Sequence, residues 1–130
     1  MPSFVIKDRP VSVQASGASR TAWKTKVAAI AGPKCAAPID HNNLRITITF
    51  YYNTLPDFDT DNMSKPICDA LIGIAYIDDN QLSERTARRK DINGSYRIRG
   101  INPELAVAIA KGDDFVVLPA NLDRQGLGFS

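Results

Sequence analysis

The chain is poor in the residues on which cysteine and histidine chemistry is built. Its 130 residues include two cysteines, Cys35 and Cys68, and one histidine, His41. Neither cysteine belongs to a Cys-x-x-Cys pair, and their spacing from His41 matches no zinc site. The thiols therefore read as reduced. His41 sits in a polar loop without a catalytic partner and carries no assigned function. Aromatic residues make up 8% of the chain. Trp23, Tyr51, Tyr52 and Tyr76 read as packing residues rather than as a base-stacking platform. Long apolar runs are absent as well. The longest, Ala70 to Ile77, is interrupted by Gly73 and stops at Asp78, too short to span a bilayer. The segment Met1 to Pro10 carries Lys7, Asp8 and Arg9 and does not read as a secretory leader, so a cytoplasmic protein with no membrane association is expected.

What remains is the composition of one folded domain. Hydrophobic residues make up 44% and charged residues 23%, enough to build a core without staples. Residues 1–120 are expected to form that single domain, and 121–130 a loosely ordered tail. The net charge of +2 is unevenly spread. Residues 1–56 balance at +5, residues 57–81 at −5, residues 82–100 at +4 and the remainder at −2. An acidic island between basic flanks suits a site that gathers phosphates and holds a cation. Solvated charges segregate this way by chance too, so charge alone does not choose.

Hydrophobic spacing gives the elements. Ser3 to Ile6 reads as a strand. Ser16 to Ala31 reads as a helix stopped by Gly32-Pro33, with Arg20, Lys24 and Lys26 along a basic side. Leu44 to Tyr52 is the clearest strand. Leu44, Ile46, Ile48, Phe50 and Tyr52 share one face, and Arg45, Thr47, Thr49 and Tyr51 the other. A helix follows between Asp61 and Ile74. Pro66 lacks an amide proton and crowds the preceding turn, so regular helix is expected from about Ser64–Pro66, with Asp61 in the loop or first turn. Asp78-Asp79-Asn80 reads as a turn and Leu82 to Lys90 as a strand. Tyr96 to Arg99 reads as that strand's continuation or its hairpin partner across Asn93-Gly94. Pro103 to Lys111 reads as a helix closed by Gly112, and Phe115 to Leu118 as a short strand. The fold class expected is α+β, a mixed sheet of about four strands packed with two to three helices.

The informative stretch is Pro56-Asp57-Phe58-Asp59-Thr60-Asp61-Asn62-Met63-Ser64-Lys65, then Asp69-Ala70-Leu71, then Asp78-Asp79-Asn80-Gln81. In extended chain, residues i and i+2 point to one side, which would group Asp59 with Asp61 and with Asp57. Crowded carboxylates raise each other's pKa unless a cation lies among them. Mg²⁺ takes hard oxygen ligands, keeps several waters and needs few carboxylates. Lys65 follows Asp61 by four residues, one helical turn. Two other readings exist. An Asp-rich loop often serves only as a solvated turn and helix cap. A calcium-binding helix-loop-helix would need Gly at its sixth position and Glu at its twelfth. Asn62 and Cys68 stand there, which excludes it.

The pattern D-x-D-N-x-x-K, followed by D-A-L and then D-D-x-Q, resembles the signature of the RusA family of Holliday-junction resolvases. Here it reads Asp59-Thr60-Asp61-Asn62-Met63-Ser64-Lys65, Asp69-Ala70-Leu71 and Asp78-Asp79-Asn80-Gln81. The order of elements also fits, including a Pro-Val-Ser loop at Pro10 to Ser12, and the likeness extends over residues 4–100. Two departures stand out: Pro66 directly after the lysine, and a helix-strand piece after Gly100. The resemblance implies a metal-dependent endodeoxyribonuclease of DNA recombination and repair, bacterial or phage-encoded. It implies Asp59, Asp61 and Asp79 as ligands of Mg²⁺ (Mn²⁺ a possible substitute) and Lys65 as the essential lysine. It further implies a homodimer with one active site for each cut across a four-way junction. Asp69 and Asp78 are candidates for supporting that site, Asp69 by pairing with Lys65. Arg20, Lys24, Lys26, Arg85, Arg88 and Arg89 are candidate phosphate contacts. Arg85 and Arg89 are in phase on a strand and Arg88 is out of phase, so the three cannot share one face. Alternatives are a nuclease of this scaffold acting on other branched DNA, or a branched-DNA-binding protein without catalysis.

Overall fold

The alternating segment Leu44–Tyr52 forms a strand on which the rest of the sheet is assembled. The computed structural model describes residues 3–35, 37–53, 59–92, 103–120 and 122–124. Its elements are Ser3–Lys7 (β1), Gly17–Ala31 (α1), Leu44–Tyr52 (β2), Thr60–Ala70 (α2), Leu82–Asp91 (β3), Pro103–Lys111 (α3), Phe115–Pro119 (β4) and Asp123–Arg124 (β5). The sheet runs β1-β4-β2-β3, with β5 paired to β2. β4 is antiparallel to both β1 and β2, while β2 and β3 are parallel. The α+β class, the mixed sheet of four main strands and the three helices are those expected.

The side-chain period of two divides the core. Leu44, Ile46, Ile48 and Phe50 are at most 1% exposed and face α1 and α2. They pack with Phe4, Ile6, Val116 and Leu118 of the sheet, Trp23 and Val27 of α1, and Met63 and Ile67 of α2. Burying each such large aliphatic side chain stabilises the fold by about 1.5–3 kcal/mol. On the opposite face Tyr51 stacks on Phe115, ring centroids 4.7 Å apart, with Val5, Ile92 and Ala108 of α3 around them. A parallel pair requires a crossover, and α2 is the crossover between β2 and β3. One acidic segment therefore precedes this helix and the other follows it, before β3.

Two sequence expectations are corrected, and a third element gains its place. The strand expected at Phe115 to Leu118 forms, and as β4 it fills the sheet between β1 and β2. Phe115 and Val116 are buried, and a short unbroken apolar run is the mark of such a covered strand. Part of the expected loose tail is ordered. Leu122 is 9% exposed, and Asp123 and Arg124 pair with Arg45 and Leu44. The expected hairpin across Asn93-Gly94 lies outside the described residues.

The other correction concerns Pro66. Helix α2 starts at Thr60 and contains Pro66 in its interior. A proline there removes the hydrogen bond to the carbonyl four residues back, that of Asn62. That carbonyl accepts instead from the backbone N–H of Val13, at 2.9 Å. The penalty that argued for a later helix start is thus offset from outside the helix, and the Pro10–Ser16 loop is fastened to α2 in the same step. Arg20 adds a second tie, its guanidinium donating to the Val13 carbonyl at 3.0 Å.

Replacing Pro66 with Ala would supply an amide that competes for the Asn62 carbonyl. The Val13 amide is then expected to exchange with solvent about five-fold faster, the worth of one modest hydrogen bond. Exchange measured by NMR at the wild-type rate would refute this account of the proline.

Candidate metal centre

Asp59 precedes α2 with extended backbone (φ −88°, ψ 174°) and caps it, Oδ1 accepting from the Asn62 N–H at 3.3 Å. Asp61 lies in the first turn, where a carboxylate also complements the helix dipole. Both are exposed. Asp61, Lys65 and Asp69 succeed one another at four-residue steps, so they lie along one side of α2. Asp57 and Phe58 lie outside the described residues.

The second acidic segment reaches this side of the helix through Lys65. Its ammonium donates to Asp69 Oδ1 at 3.0 Å and stands 3.7 Å from Asp79 Oδ2. The first contact is a hydrogen-bonded ion pair. The second is too long for a hydrogen bond and is a through-space attraction. All three side chains keep substantial solvent access, so each pair contributes at most about 1 kcal/mol to stability. The Asp69 hydrogen bond raises the Lys65 pKa above its ordinary value, with the Asp69 and Asp79 charges adding to it and Arg85 opposing. A raised lysine pKa stabilises the fold below the unfolded pKa. That contribution is lost only as pH climbs through the folded one, well into the alkaline range. Lys65 is thus a protonated cation throughout the neutral range.

The turn that carries Asp79 is built by Asp78 and Gln81. A single 3-10 turn, Asp79–Gln81, follows Asp78, whose Oδ1 accepts from the Asp79 N–H at 2.9 Å. The Gln81 side chain completes a capping box and is 6% exposed. Asp78 therefore acts as a cap. Gln81, given no role in the sequence reading, is the residue that seats the turn. The Asp-x-x-Gln spacing was the available signal, since it is that of a capping box. Tyr76 is fully buried and donates its hydroxyl to the Cys68 carbonyl at 2.5 Å. It thereby packs the segment leading to Asp79 against the last turn of α2, and burial drives its pKa far upward.

The basic candidates divide by strand parity and by partner. Register places Arg85 beside Ile46 and Arg89 beside Phe50, on the sheet face that α2 covers. Arg85 lies close enough to Lys65 and Cys68 to influence both titrations. Arg88 pairs with Thr49 and lies beside Tyr51 on the other face, so it is not part of this site. Arg20 anchors the loop bound to Asn62. Lys26 is held at the end of β1, donating to the Lys7 carbonyl at 2.6 Å and to Asp8 at 3.0 Å. Lys24 lies one turn beyond Arg20 on α1 and is half-buried.

The structure brings Asp69, Lys65 and Asp79 together and aligns Asp61 with them along α2. It does not gather Asp59, Asp61 and Asp79 into a ready cluster. Among the described residues no three His, Cys, Asp or Glu side chains are already arranged around one ion position. The donor set nevertheless suits a hard divalent ion: accessible carboxylates with neither thiol nor imidazole among them. Cys68 is buried on the inward side of α2, and its thiol pKa is raised by burial.

Asp69→Asn removes the largest cause of the Lys65 shift. The Lys65 pKa, followed by NMR of its side-chain carbon beside the nitrogen, is expected to fall toward the ordinary lysine value. An unchanged pKa would place the control of Lys65 elsewhere.

No helix among the described residues is long and apolar enough to cross a membrane. A search of curated proteins gives no match to the chain. The family model described as Endodeoxyribonuclease RusA matches residues 7–110, a span running from the end of β1 into α3 that contains Asp59, Asp61, Asp69, Asp78 and Asp79. The RusA nucleases are metal-dependent and bind branched DNA. With most of its length matched and the motif residues seated along α2 and the turn before β3, the chain belongs to the RusA endodeoxyribonuclease family, the Holliday-junction resolvases.

Proposed function

We propose that this chain cuts four-way DNA junctions with Asp59, Asp61 and Asp79 as ligands of Mg²⁺ and Lys65 as the cation beside them. The observation that carries the assignment is the Lys65 ammonium, 3.0 Å from Asp69 and 3.7 Å from Asp79. It joins two acidic segments that the sequence separates by a whole helix. The Asp79 contact is long and solvent-exposed, so a divalent ion can compete for that carboxylate at little cost. The Asp69 contact is a true hydrogen bond, so the lysine would keep its place with Asp79 engaged by a metal.

When bound, the ion supplies a polarised water and neutralises charge on the scissile phosphate. The protein's own groups do the rest. Lys65, held by Asp69 and protonated at neutral pH, places fixed positive charge where negative charge grows on the phosphate oxygens. Arg85 extends that positive field along β3 on the same face. Arg20, Lys24 and Arg89 are proposed phosphate contacts that position the duplex arms without reading sequence. Lys26 stands at the end of β1, paired with Asp8, and Arg88 serves the opposite face of the sheet. Paired cuts across a junction require two such sites, for which a homodimer is the simplest arrangement. Mn²⁺, with similar oxygen preference, is expected to substitute for Mg²⁺.

Asp59→Asn, Asp61→Asn and Asp79→Asn are each expected to abolish cleavage of a synthetic four-way junction in Mg²⁺ while leaving junction binding in EDTA intact. Two of the three cutting at the wild-type rate would overturn the ligand assignment. Lys65→Met is expected to lower the single-turnover rate by about 100-fold or more, the usual loss when one fixed stabilising group is removed. Symmetric nicks in the junction but none in linear duplex support the substrate. Metal-independent binding without nicks would make the chain a binding protein instead.

A further inference from the structure

Gln81 is 6% exposed, its primary amide enclosed by the fold. Its Oε1 accepts from the backbone N–H groups of Ile77 and Asp78, at 2.7 and 2.8 Å. Its Nε2 donates to the carbonyls of Ile39 and His41, at 2.8 and 2.9 Å. A primary amide offers two donor hydrogens and two acceptor lone pairs, and all four are used here. One half of the group shapes the turn that carries Asp79. The other half ties that turn to residues 39–41, the segment that leads into β2. A second link runs alongside, the Ile39 N–H donating to the Ala75 carbonyl at 3.0 Å.

The chemistry is specific to this residue. Glutamate could accept from the two amides but would turn a carboxylate toward two carbonyl oxygens. Asparagine has the right group on a stem one methylene too short. An apolar side chain would leave two part-buried N–H groups and two part-buried carbonyls without this partner. A capping box alone needs only the acceptor half. The donor half, reaching across to residues 39–41, fixes where the turn sits, and with it where Asp79 meets the Lys65 side of α2.

We propose that Gln81 is a positioning residue for Asp79: its amide clamps the Asp78–Asp79 turn to the 39–41 segment and so holds the third carboxylate within reach of the metal site. This rests on the assignment of Asp79 as a ligand made above. The clamp acts at a distance from the substrate. Its loss should weaken the metal and leave DNA binding in place.

The test uses Gln81→Met, which loses all four bonds at similar volume, and Gln81→Glu, which keeps the acceptor pair and loses the tether to residues 39–41. Binding of Mn²⁺ to the free protein, read by electron paramagnetic resonance, is expected to weaken by about ten-fold or more in both, as when outer-shell partners of metal ligands are removed. The Mg²⁺ concentration for half-maximal junction cleavage should rise by a similar factor, with junction affinity in EDTA unchanged. A purely structural role predicts something else: a lower melting temperature and a rate that falls with the folded fraction, at unaltered metal half-saturation. That outcome, or wild-type Mn²⁺ affinity in both variants, would overturn the proposal. A measurement on the unmodified protein adds a check that needs no variant to fold. The Ile77 and Asp78 amides should be protected from hydrogen exchange, and unprotected amides would also overturn it. Asp79→Asn separates the two assignments. If it binds Mn²⁺ and cuts like the wild type, the ligand assignment fails. If it loses both while the Gln81 variants behave normally, only the clamp fails.

Discussion

Negative charge brought together on one side of a helix needs compensation, and that need organises this molecule. Asp61 and Asp69 flank Lys65 along α2, and Asp79 approaches the same lysine from the turn before β3. Without a cation these carboxylates would repel one another. Lys65 supplies one positive charge, held by a hydrogen bond to Asp69 and shared loosely with Asp79. The unequal grip is the useful part. The tight partner is a residue of the lysine's own helix, while the loose partner belongs to another segment and can be drawn away by a stronger cation.

The sheet exists in a form that permits this meeting. Because β2 and β3 are parallel, the chain must cross over between them, and the crossover helix carries the motif from one end of the strands to the other. Its inward side, with Met63, Ile67 and Cys68, packs on the β2 face, which leaves Lys65 and the flanking acids outward. Pro66 then contributes in an unexpected way. Interrupting the helix ladder frees the Asn62 carbonyl for Val13, so the loop that Arg20 also grips is bound at the acidic end of α2. At the other end Gln81 and Tyr76 seat the turn that carries Asp79. Backbone groups released or left over by the regular elements thus fasten the loops around the site.

Much of this was legible in the residues. The period of two in Leu44–Tyr52 gave both the strand and its buried face, and the same parity separated Arg85 and Arg89 from Arg88. The Asp59–Lys65 motif and Asp78–Gln81 led to the family that the chain joins. What escaped detection was tertiary in origin. The helix start was placed too late because the partner that relieves Pro66 comes from residue 13. The strand at Phe115 to Leu118 was legible, but its place between β1 and β2 was not, because so short a run says nothing about its position in a sheet. Gln81 passed without a role because three of its four hydrogen-bond partners lie outside the turn it caps, and two belong to residues about forty positions away. The pairing of Lys65 with Asp69 follows from helical spacing, whereas its contact with Asp79 depends on how the crossover lies on the sheet.

The central claim is that the two acidic segments serve one divalent ion. Paramagnetic broadening of amide resonances during a Mn²⁺ titration of the free protein tests it most directly. Signals from Asp59 and Asp61 and those from Asp78 and Asp79 should fade together, at the same Mn²⁺ concentration. Broadening confined to one segment, or appearing in the two at clearly different concentrations, would contradict the shared site.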